Sequence, residues 1–453
     1  MSLQNKMKPL SAVILALMLS ACGDSETNIY AEDVAEPDHD EDHDHDHDEL
    51  SQSRLLVVEA GTELAHVFDT TDGDEVASLT LPAPIGYAYS VPGNRYAAFV
   101  HRDDNWVSFV DGGVWTEDHG DHDHPYAEAP AIQDFFLDGV KPTHYTFNDE
   151  QVAVFYDGNS ETGDPAGVAS FDAHAVADNG MAATLTLSTH MHGAAQVRGE
   201  HLLATIRDAD SASTLPEQVA LYHLHDTEYE QEKVFAETCP VLHGSAQNEN
   251  HIFFACGDGV LVIDESADFA ASKVANGDAL PEDARIGTLR GHDHIHDAVG
   301  WTGGTIVLVE PDADTLETLS WENSAGASVV SGEFADSGEL FVTLLDNGSL
   351  VVFDSHDWSV HGEVEAVDAS VLGEDQRLKL VVEPQGHTAY IVNPGAQSVA
   401  LVDLEVMEVS TKWELDFTPL TAAWVGYAEE HEEGEDHDHE QEHDHEEGEG
   451  HAH

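Results

Sequence analysis

The chain has 453 residues, with 15 Lys and Arg against 90 Asp and Glu, which gives a formal net charge of −75 with histidine counted as neutral. So few basic residues exclude a nucleic-acid partner, because binding to phosphates depends on clustered Lys and Arg, and they exclude docking on anionic lipid through a basic patch. The rest of the composition is globular, with 41% hydrophobic residues, 36 Gly and 16 Pro. Histidine is unusually frequent at 31 residues, and imidazole combined with carboxylate indicates divalent metal.

The N-terminus has the pattern of a bacterial signal peptide over residues 1–21. Two lysines precede an apolar run at residues 10–19 that is too short to span a bilayer. The run ends in Leu-Ser-Ala-Cys, which resembles a lipobox and predicts that Cys22 is the lipidated first residue of the mature protein. An ordinary cleaved signal with an incidental cysteine is the alternative. Because Gly23 follows the cysteine, we expect an anchor in the outer membrane, facing the periplasm.

Cys239 and Cys256 are the other two cysteines. A hairpin that turns near residues 248–250 would bring them together, so in an oxidising envelope they are expected to form a structural disulfide. Free thiols or soft metal ligands are the alternative. Two cysteines are too few for a thiolate zinc site on their own.

Two segments rich in histidine and acid flank the body of the chain, at residues 22–50 and 429–453. Neither holds a large apolar cluster, so both are expected to be disordered. Flexible strings of His and Asp bind Zn²⁺ weakly and exchange it quickly. The first segment is therefore a candidate for mobile metal capture through His39, His43, His45 and His47.

Residues 51–428 predict an all-β domain. Six runs of apolar residues end in Asp, such as residues 107–111 and 350–354, and residues 219–223 and 305–310 are weaker members of the same pattern. The eight runs begin near residues 66, 106, 168, 219, 260, 306, 350 and 399. A period of roughly 40–60 residues is typical of a β-propeller with one four-stranded blade per repeat. Eight blades are favoured, and seven stay possible because residues 292–321 are irregular. The run at residues 420–426 is expected to close the ring with the first repeat.

Histidines recur in phase in four successive repeats. Residues 192–196 and 243–247 both read His-Gly-x-Ala-Gln, and His144 and His296 open the neighbouring repeats. If all four precede an innermost strand, they surround one mouth of the central channel. Zinc accepts three or four neutral imidazoles, so His144, His192, His243 and His296 are the predicted ligands. The alternative is that they are ordinary polar lining of a propeller channel.

Further histidines stand near this predicted site. His190 and His294 lie two residues ahead of His192 and His296, and an extended chain places such pairs on one side. They are reserve ligands or orient the ligands by hydrogen bonds. An insertion after Trp115, expected to be a long surface loop, carries three more candidates that would cap the site or pass metal inwards, unless it is merely a solvated acidic loop: His119, His122 and His124.

With these motifs, the chain resembles the periplasmic zinc metallochaperones of AztABCD-type zinc importers. The resemblance covers roughly residues 51–428 and depends on the His-Asp run at residues 43–48, the His-rich insertion and the phased histidines. It implies zinc binding in the propeller and direct transfer to the solute-binding protein of a zinc ABC importer. The lipobox and the C-terminal acidic segment depart from the family pattern.

Three functions follow from these observations. The first is a non-enzymatic zinc chaperone in the periplasm, monomeric and attached to the membrane only through its lipid. The second is a metal-dependent hydrolase or lactonase on a propeller, although the sequence has no Gly-x-Ser-x-Gly and no His-Glu-x-x-His motif. The third is an interaction propeller that stores zinc, which leaves the phased histidines unexplained.

Overall fold

The computed structural model describes residues 52–118, 123–148, 150–281, 284–322 and 326–427. The predicted signal peptide, lipidation site, mobile capture histidines and C-terminal segment therefore lie outside the described residues. His119 and His122 of the insertion lie outside them as well. No helix within the described residues is long and apolar enough to cross a membrane.

The first half of the described chain consists almost entirely of short strands. In chain order they are β1 (Ser53–Glu59), β2 (Leu64–Asp69), β3 (Glu75–Thr80), β4 (Tyr87–Ser90), β5 (Tyr96–His101), β6 (Trp106–Asp111), β7 (Val114–Asp118), β8 (Asp123–Ala127), β9 (Ala131–Asp138), β10 (Pro142–Phe147), β11 (Gln151–Tyr156), β12 (Gly167–Asp172), β13 (Ala183–Thr186), β14 (Ala195–Arg198), β15 (His201–Ile206), β16 (Gln218–His225) and β17 (Glu228–Val234).

The second half continues in the same way. Its strands are β18 (Ser245–Gln247), β19 (His251–Cys256), β20 (Gly259–Asp264), β21 (Ala270–Ala275), β22 (Thr288–Arg290), β23 (Ala298–Thr302), β24 (Thr305–Val309), β25 (Glu317–Thr318), β26 (Val329–Ala335), β27 (Leu340–Leu345), β28 (Ser349–Asp354), β29 (Val360–Glu365), β30 (Lys379–Val382), β31 (Thr388–Asn393), β32 (Ser398–Asp403), β33 (Glu408–Glu414) and β34 (Pro419–Gly426). The described helices are short: α1 (Ala173–Ala177) and three 3-10 turns, Arg102–Asp104, Asp336–Gly338 and Ala369–Val371.

The described strands form a β-propeller of eight antiparallel four-stranded blades. Blade 1 has the order β3-β2-β1-β34, blade 2 is β4-β5-β6-β9, and blades 3 to 8 are built in turn from β10–β13, β14–β17, β18–β21, β22–β25, β26–β29 and β30–β33. A single bridge between Thr184 and Glu228 joins the outer strands of blades 3 and 4. The predicted eight-bladed propeller is confirmed, and each of the eight predicted apolar runs is the third strand of its blade.

The ring closes through the last strand of the chain. β34 pairs with β1 in register from Ser53 opposite Gly426 to Val58 opposite Thr421. The C-terminal strand thus becomes the innermost strand of a blade whose other strands come from the N-terminal end. This closure was predicted from the apolar run at residues 420–426, and it is confirmed.

The hydrophobic core lies between the blades, in eight clusters that each join two neighbouring blades. Side chains alternate along a strand, so successive residues serve opposite clusters. In β1, Leu55 and Val57 pack towards blade 8, whereas Leu56 and Val58 pack towards blade 2. Strands buried on both faces need continuous apolar runs, which is why the third strands are so easily recognised in the sequence.

Antiparallel order gives the propeller two distinct ends. We call the end where the innermost strands begin the upper end, and the end where they finish the lower end. The insertion after β6 leaves from the lower end, because β6 is a third strand and runs downwards. It is a hairpin of β7 and β8 rather than the long loop expected, and Trp115 stacks on Tyr126 across it with ring centroids 5.2 Å apart.

Candidate metal centre

Three histidines from consecutive blades meet at the upper end of the channel. His144 is the third residue of β10, and His192 and His243 lie in the connections that lead into β14 and β18. One ring nitrogen from each lies within 4.8 Å of the others, and all three side chains are half-buried. Within the described part of the chain, no other group of three His, Cys, Asp or Glu residues meets this criterion.

The spacing of the three imidazoles suits zinc. Nε2 of His144 lies 3.3 Å from Nε2 of His192, and two nitrogens bound to one tetrahedral zinc at 2.0–2.1 Å are about 3.3 Å apart. The ring centroids are separated by 4.8 Å for His144 and His192, 5.2 Å for His192 and His243, and 5.7 Å for His144 and His243.

Hydrogen bonds on the far side of two rings fix their orientation. Nδ1 of His243 lies 3.0 Å from the carbonyl oxygen of Gly287, which can only accept, so Nδ1 carries the hydrogen. Nδ1 of His192 lies 3.2 Å from Oδ2 of Asp157 and donates in the same way. Both rings are therefore held as the tautomer that leaves the Nε2 lone pair for a metal.

Asp157, which follows β11, is itself held by the guanidinium of Arg102. Nη2 of Arg102 donates to Oδ2 of Asp157 at 2.9 Å, and Nε of Arg102 donates to Oγ1 of Thr143 at 3.2 Å. Thr143 immediately precedes His144, so one guanidinium links the side chain next to His144 to the carboxylate that orients His192. Oδ1 of Asp157 is buried without a hydrogen-bond partner.

Two of the three imidazoles are favoured in the neutral form. Burial, and after it the neighbouring His192 and His243, lower the pKa of His144 to about 4. Burial also lowers the pKa of His243, against the opposing effect of the Gly287 carbonyl. Because imidazole binds metal only when it is neutral, these two histidines would not need to lose a proton at pH 7 to bind one.

Steric constraints explain why a glycine follows the histidine in each His-Gly pair. A Cβ at Gly193 would collide with the Thr205 hydroxyl and the ring of Phe155. Gly244 has φ +91°, a conformation that other residues rarely adopt. The repeated His-Gly motif is therefore explained by the backbone conformation and close packing that bring each histidine to the channel.

A disulfide fixes the segment that carries His243. Cys239 and Cys256 are joined, with Cα atoms 4.8 Å apart, and both residues are fully buried. Next to the disulfide, the Gly257 amide donates to the Pro240 carbonyl at 2.6 Å. The His243 amide in turn donates to the Ala255 carbonyl at 3.0 Å, so the connection before β18 is held to the end of β19.

The structure does not place His296 with the other three histidines. The innermost strand of blade 6 is β22, which precedes His296, so this histidine lies in the turn that follows the strand, near the lower end. Its ring centroid is 5.9 Å from that of His251. Gly287, immediately before β22, corresponds to Gly244 before β18, so Ile286 stands where blade 5 has His243. The prediction that His296 precedes the innermost strand of its blade is therefore wrong, because β22 precedes His296.

The remaining predicted residues are apart from the triad. The carbonyl of His190 accepts from Nε of Arg207 at 3.1 Å, and its ring is not part of the cluster. His294 is exposed near the lower end, where its amide lies 3.3 Å from Nδ1 of His292. His124 is exposed on β8 opposite Glu117. That hairpin leaves from the lower end, whereas the three histidines lie at the upper end. The prediction that the insertion caps the site is therefore wrong.

Sequence reasoning missed the residues that orient the ligands. Asp157 is one of 90 acidic residues, so nothing in its local pattern distinguishes it. The Gly287 carbonyl has no sequence signal at all. Arg102 could have been noticed, because it is one of only 15 basic residues and directly follows the buried strand β5.

The propeller as a whole is similar to proteins that are already known. No protein-family profile matches the chain. Over 390 residues it is 24% identical to the zinc chaperone AztD of Citrobacter koseri, covering 84% of this chain and 89% of that protein. The crystal structure of Citrobacter koseri AztD superposes with a TM-score of 0.71 at 21% identity, covering 84% of this chain and 99% of that one.

Two further solved structures share the fold. Apo AztD from Citrobacter koseri gives a TM-score of 0.70 at 20% identity, covering 83% of this chain and 98% of that one. The dihydro-heme d1 dehydrogenase NirN gives 0.52 at 10% identity, with 82% and 74% covered. The predicted resemblance to an AztD-type zinc chaperone is therefore confirmed.

Proposed function

We propose that this chain binds Zn²⁺ at the upper end of its propeller through Nε2 of His144, His192 and His243. The observation that carries the proposal is the preset tautomer of two of these rings, with hydrogen bonds to Asp157 and to the Gly287 carbonyl directed away from the shared volume. This is the arrangement in which imidazoles ligate zinc in proteins.

We further propose that the bound zinc is cargo. The chain would act as a zinc chaperone that passes the ion to the solute-binding protein of a zinc ABC importer. Its similarity to a protein named as a zinc chaperone supports this role. Three histidines leave a fourth coordination position, through which a ligand of the partner can enter before the original ligands leave.

The same proposal includes the parts of the chain outside the described residues. The histidines at 39, 43, 45 and 47 would collect zinc, and lipidated Cys22 would keep the protein at the periplasmic face of the outer membrane. Loading would then pass from weak, exchangeable ligands to the fixed triad.

We propose that the site is not catalytic, although three histidines and an open position are also found in zinc hydrolases. A hydrolase needs a general base beside the metal. The carboxylate that contacts the triad is Asp157, and its Oδ2 already accepts from both Arg102 and His192. Asp157 therefore orients His192, and its Oδ1, although it accepts no hydrogen bond, is buried away from solvent.

Zinc competition against a chelator of known affinity tests the site. Full-length protein should hold one tight equivalent, and His192→Gln and His243→Gln should each weaken it by at least about tenfold. His356→Gln is the matched control, because His356 lies beside Glu339 and Asp354 on another blade. Unchanged tight binding in both triad variants would refute the site.

Transfer is tested separately. Protein loaded with one zinc equivalent is mixed with the zinc-free solute-binding protein in the presence of a chelator that captures any released ion. Delivery to the partner despite the chelator supports direct transfer, whereas complete capture by the chelator contradicts it and leaves a zinc store.

A further inference from the structure

Side chains of the innermost strands fill the channel directly below the triad. Tyr145 follows His144 on β10, and its ring stacks on that of Tyr89 on β4, with centroids 4.6 Å apart and planes 1° from parallel. The Tyr145 hydroxyl donates to the carbonyl oxygen of Ser90 at 3.1 Å. Two phenol rings from blades 2 and 3 therefore form a layer immediately beneath one of the three histidines.

An ion pair faces these rings from the other side of the channel. Nη2 and Nε of Arg290, the last residue of β22, donate to the two carboxylate oxygens of Glu333 on β26 at 2.7 and 2.9 Å. Burial raises the pKa of the Tyr89 hydroxyl to about 12, and the charges of Arg290 and Glu333 also act on it. Tyr89 belongs to blade 2 and Arg290 to blade 6, which are opposite each other in a ring of eight. The layer therefore reaches across the channel.

Another contact crosses the channel nearer to the lower end. Nε2 of Gln247, the last residue of β18, donates to the carbonyl oxygen of Phe147 at 3.2 Å. These residues belong to blades 5 and 3, so the hydrogen bond passes the inner edge of blade 4. Phe147 follows His144 by three residues, which is about 10 Å along an antiparallel strand. Side chains thus narrow the channel at two levels below the triad.

Water reaches this layer, whereas a zinc ion would be hindered there. The side chains of Arg290 and Glu333 are 35% and 30% exposed. A hydrated zinc ion moving down the channel would have to lose part of its hydration shell between these side chains and pass a fixed guanidinium, which repels cations. The triad lies above the layer, and the side chain of His192 is 32% exposed. The open path to the triad is therefore from the upper end.

Both ends of the described chain are at the opposite, lower end of the propeller. β1 begins there and β34 finishes there, and the Tyr427 amide donates to the Gln52 carbonyl at 3.1 Å. The segments rich in histidine and acid, at residues 22–50 and 429–453, are therefore connected to the end that the layer separates from the triad.

We propose that zinc enters and leaves the triad only through the upper mouth of the channel, and that a protein receiving zinc directly docks over this mouth. The inference rests on the proposed function, in which the triad holds zinc as cargo. The layer of Tyr89, Tyr145, Arg290 and Glu333 closes the way to the lower end. The upper face of blades 3 to 5 is thus the transfer surface, and its partner is a protein that brings a zinc ligand into the mouth.

Caps placed over either mouth test this route in the full-length protein. Tyr87→Cys and Phe147→Cys put a thiol at the upper end of β4 and at the lower end of β10, where the native side chains are 41% and 54% exposed. Each variant is loaded with one equivalent of zinc, labelled with biotin-maleimide and covered with streptavidin. Release of zinc to a small chelator should be at least about fivefold slower under the upper cap and should change by less than about twofold under the lower cap. Wild-type protein treated in the same way is the control for labelling elsewhere.

Tyr89→Ala, combined with the upper cap, tests the layer itself. Loss of the ring opens the channel and should speed release from the capped protein by at least about threefold, whereas Tyr89→Phe keeps the ring and should not. Transfer to the zinc-free solute-binding protein should be blocked by the upper cap and not by the lower one.

The proposal is overturned if the lower cap slows release as much as the upper cap, or if neither cap slows it. It is also overturned if Tyr89→Ala and Tyr89→Phe behave alike under the upper cap, or if transfer continues beneath that cap. The zinc bound before capping tests the triad, and the release rates test the route, so failure of the proposed function is seen separately.

Discussion

Asp157 is the residue on which the geometry of the triad depends most. Replacing it by Asn removes the charge that holds His192 and pairs with Arg102. Loss of a hydrogen-bonded partner behind a metal ligand lowers affinity by about 10–100-fold. We therefore expect Asp157→Asn to weaken zinc binding by that factor in a chelator competition.

Asp111→Asn is the matched control for this change. Asp111 accepts from Arg95 at 2.8 and 3.0 Å, as Asp157 does from Arg102, but at the lower end of blade 2 and without a histidine. If both variants weakened zinc binding equally, the effect would come from lost stability rather than from ligand orientation.

The lowered pKa values of His144 and His243 predict how zinc binding exchanges protons. With the pKa of His144 at about 4 and that of His243 below its ordinary 6.5, neither ring has a full proton to release at pH 6. Titration calorimetry in buffers of different ionisation enthalpy should therefore show fewer protons released by the tight equivalent at pH 6 than three ordinary imidazoles would give. Release of the full ordinary number would contradict the assigned pKa shifts.

The same shifts bear on the stability of the zinc-free protein. In the unfolded chain these imidazoles take up protons near pH 6.5, whereas in the folded protein they take them up only at lower pH. The unfolded state thus binds more protons as the pH falls from 6.5 towards 4, and stability decreases over that window. Above pH 6.5 this contribution is fully present.

Among the structural elements, the connection between β17 and β18 depends most on one covalent bond. Cys239 and Cys256 are 17 residues apart, and closing a loop of that size stabilises a fold by about 3 kcal/mol. The double variant Cys239→Ser, Cys256→Ser should unfold at lower temperature and bind zinc more weakly, since His243 follows the first cysteine by four residues.

Reductant provides the control for this prediction. It should lower the melting temperature of the wild type towards that of the double variant and leave the double variant unchanged. Equal sensitivity of both proteins would show that the effect of the reductant lies elsewhere.

Elements buried on both faces could be predicted from the sequence, and their connections could not. Each third strand is a largely apolar run, and six of the eight end in Asp, so all eight were found. The predicted position of His296 was wrong because Ile286 and Gly287, and not a His-Gly pair, precede the innermost strand β22 (Thr288–Arg290), while His296 follows that strand. The insertion is a hairpin because cross-strand pairs such as Trp115 and Tyr126 stabilise it. Its many His and Asp residues favoured the prediction of a loop instead.

On the scale of the site, the three clustered histidines were predicted by their repeat, while the residues that orient them were not. Asp157, Arg102 and Gly287 lie in segments of different blades, and they reach the histidines through contacts between neighbouring blades. A contact between blades leaves no periodic trace in the sequence. We therefore expect the site to depend on the packing of the propeller as a whole, including the closure of the ring.

Ring closure is tested by two truncations of the whole molecule. Ending the chain after Thr418 removes β34, whose Trp424 is fully buried between blades 8 and 1, and exposes the edge of β1. Losing one buried Trp alone costs about 3–5 kcal/mol, so we expect loss of cooperative unfolding and of tight zinc binding.

Ending the chain after Tyr427 keeps β34 and its pairing with β1, and should change the free energy of unfolding by no more than about 0.5 kcal/mol. Thermal unfolding of both proteins separates the closing strand from the acidic segment beyond it. Because the triad spans blades 3 to 5, on the far side of the ring from the closure, loss of its zinc affinity in the first truncation alone would show that the channel site requires the closed ring.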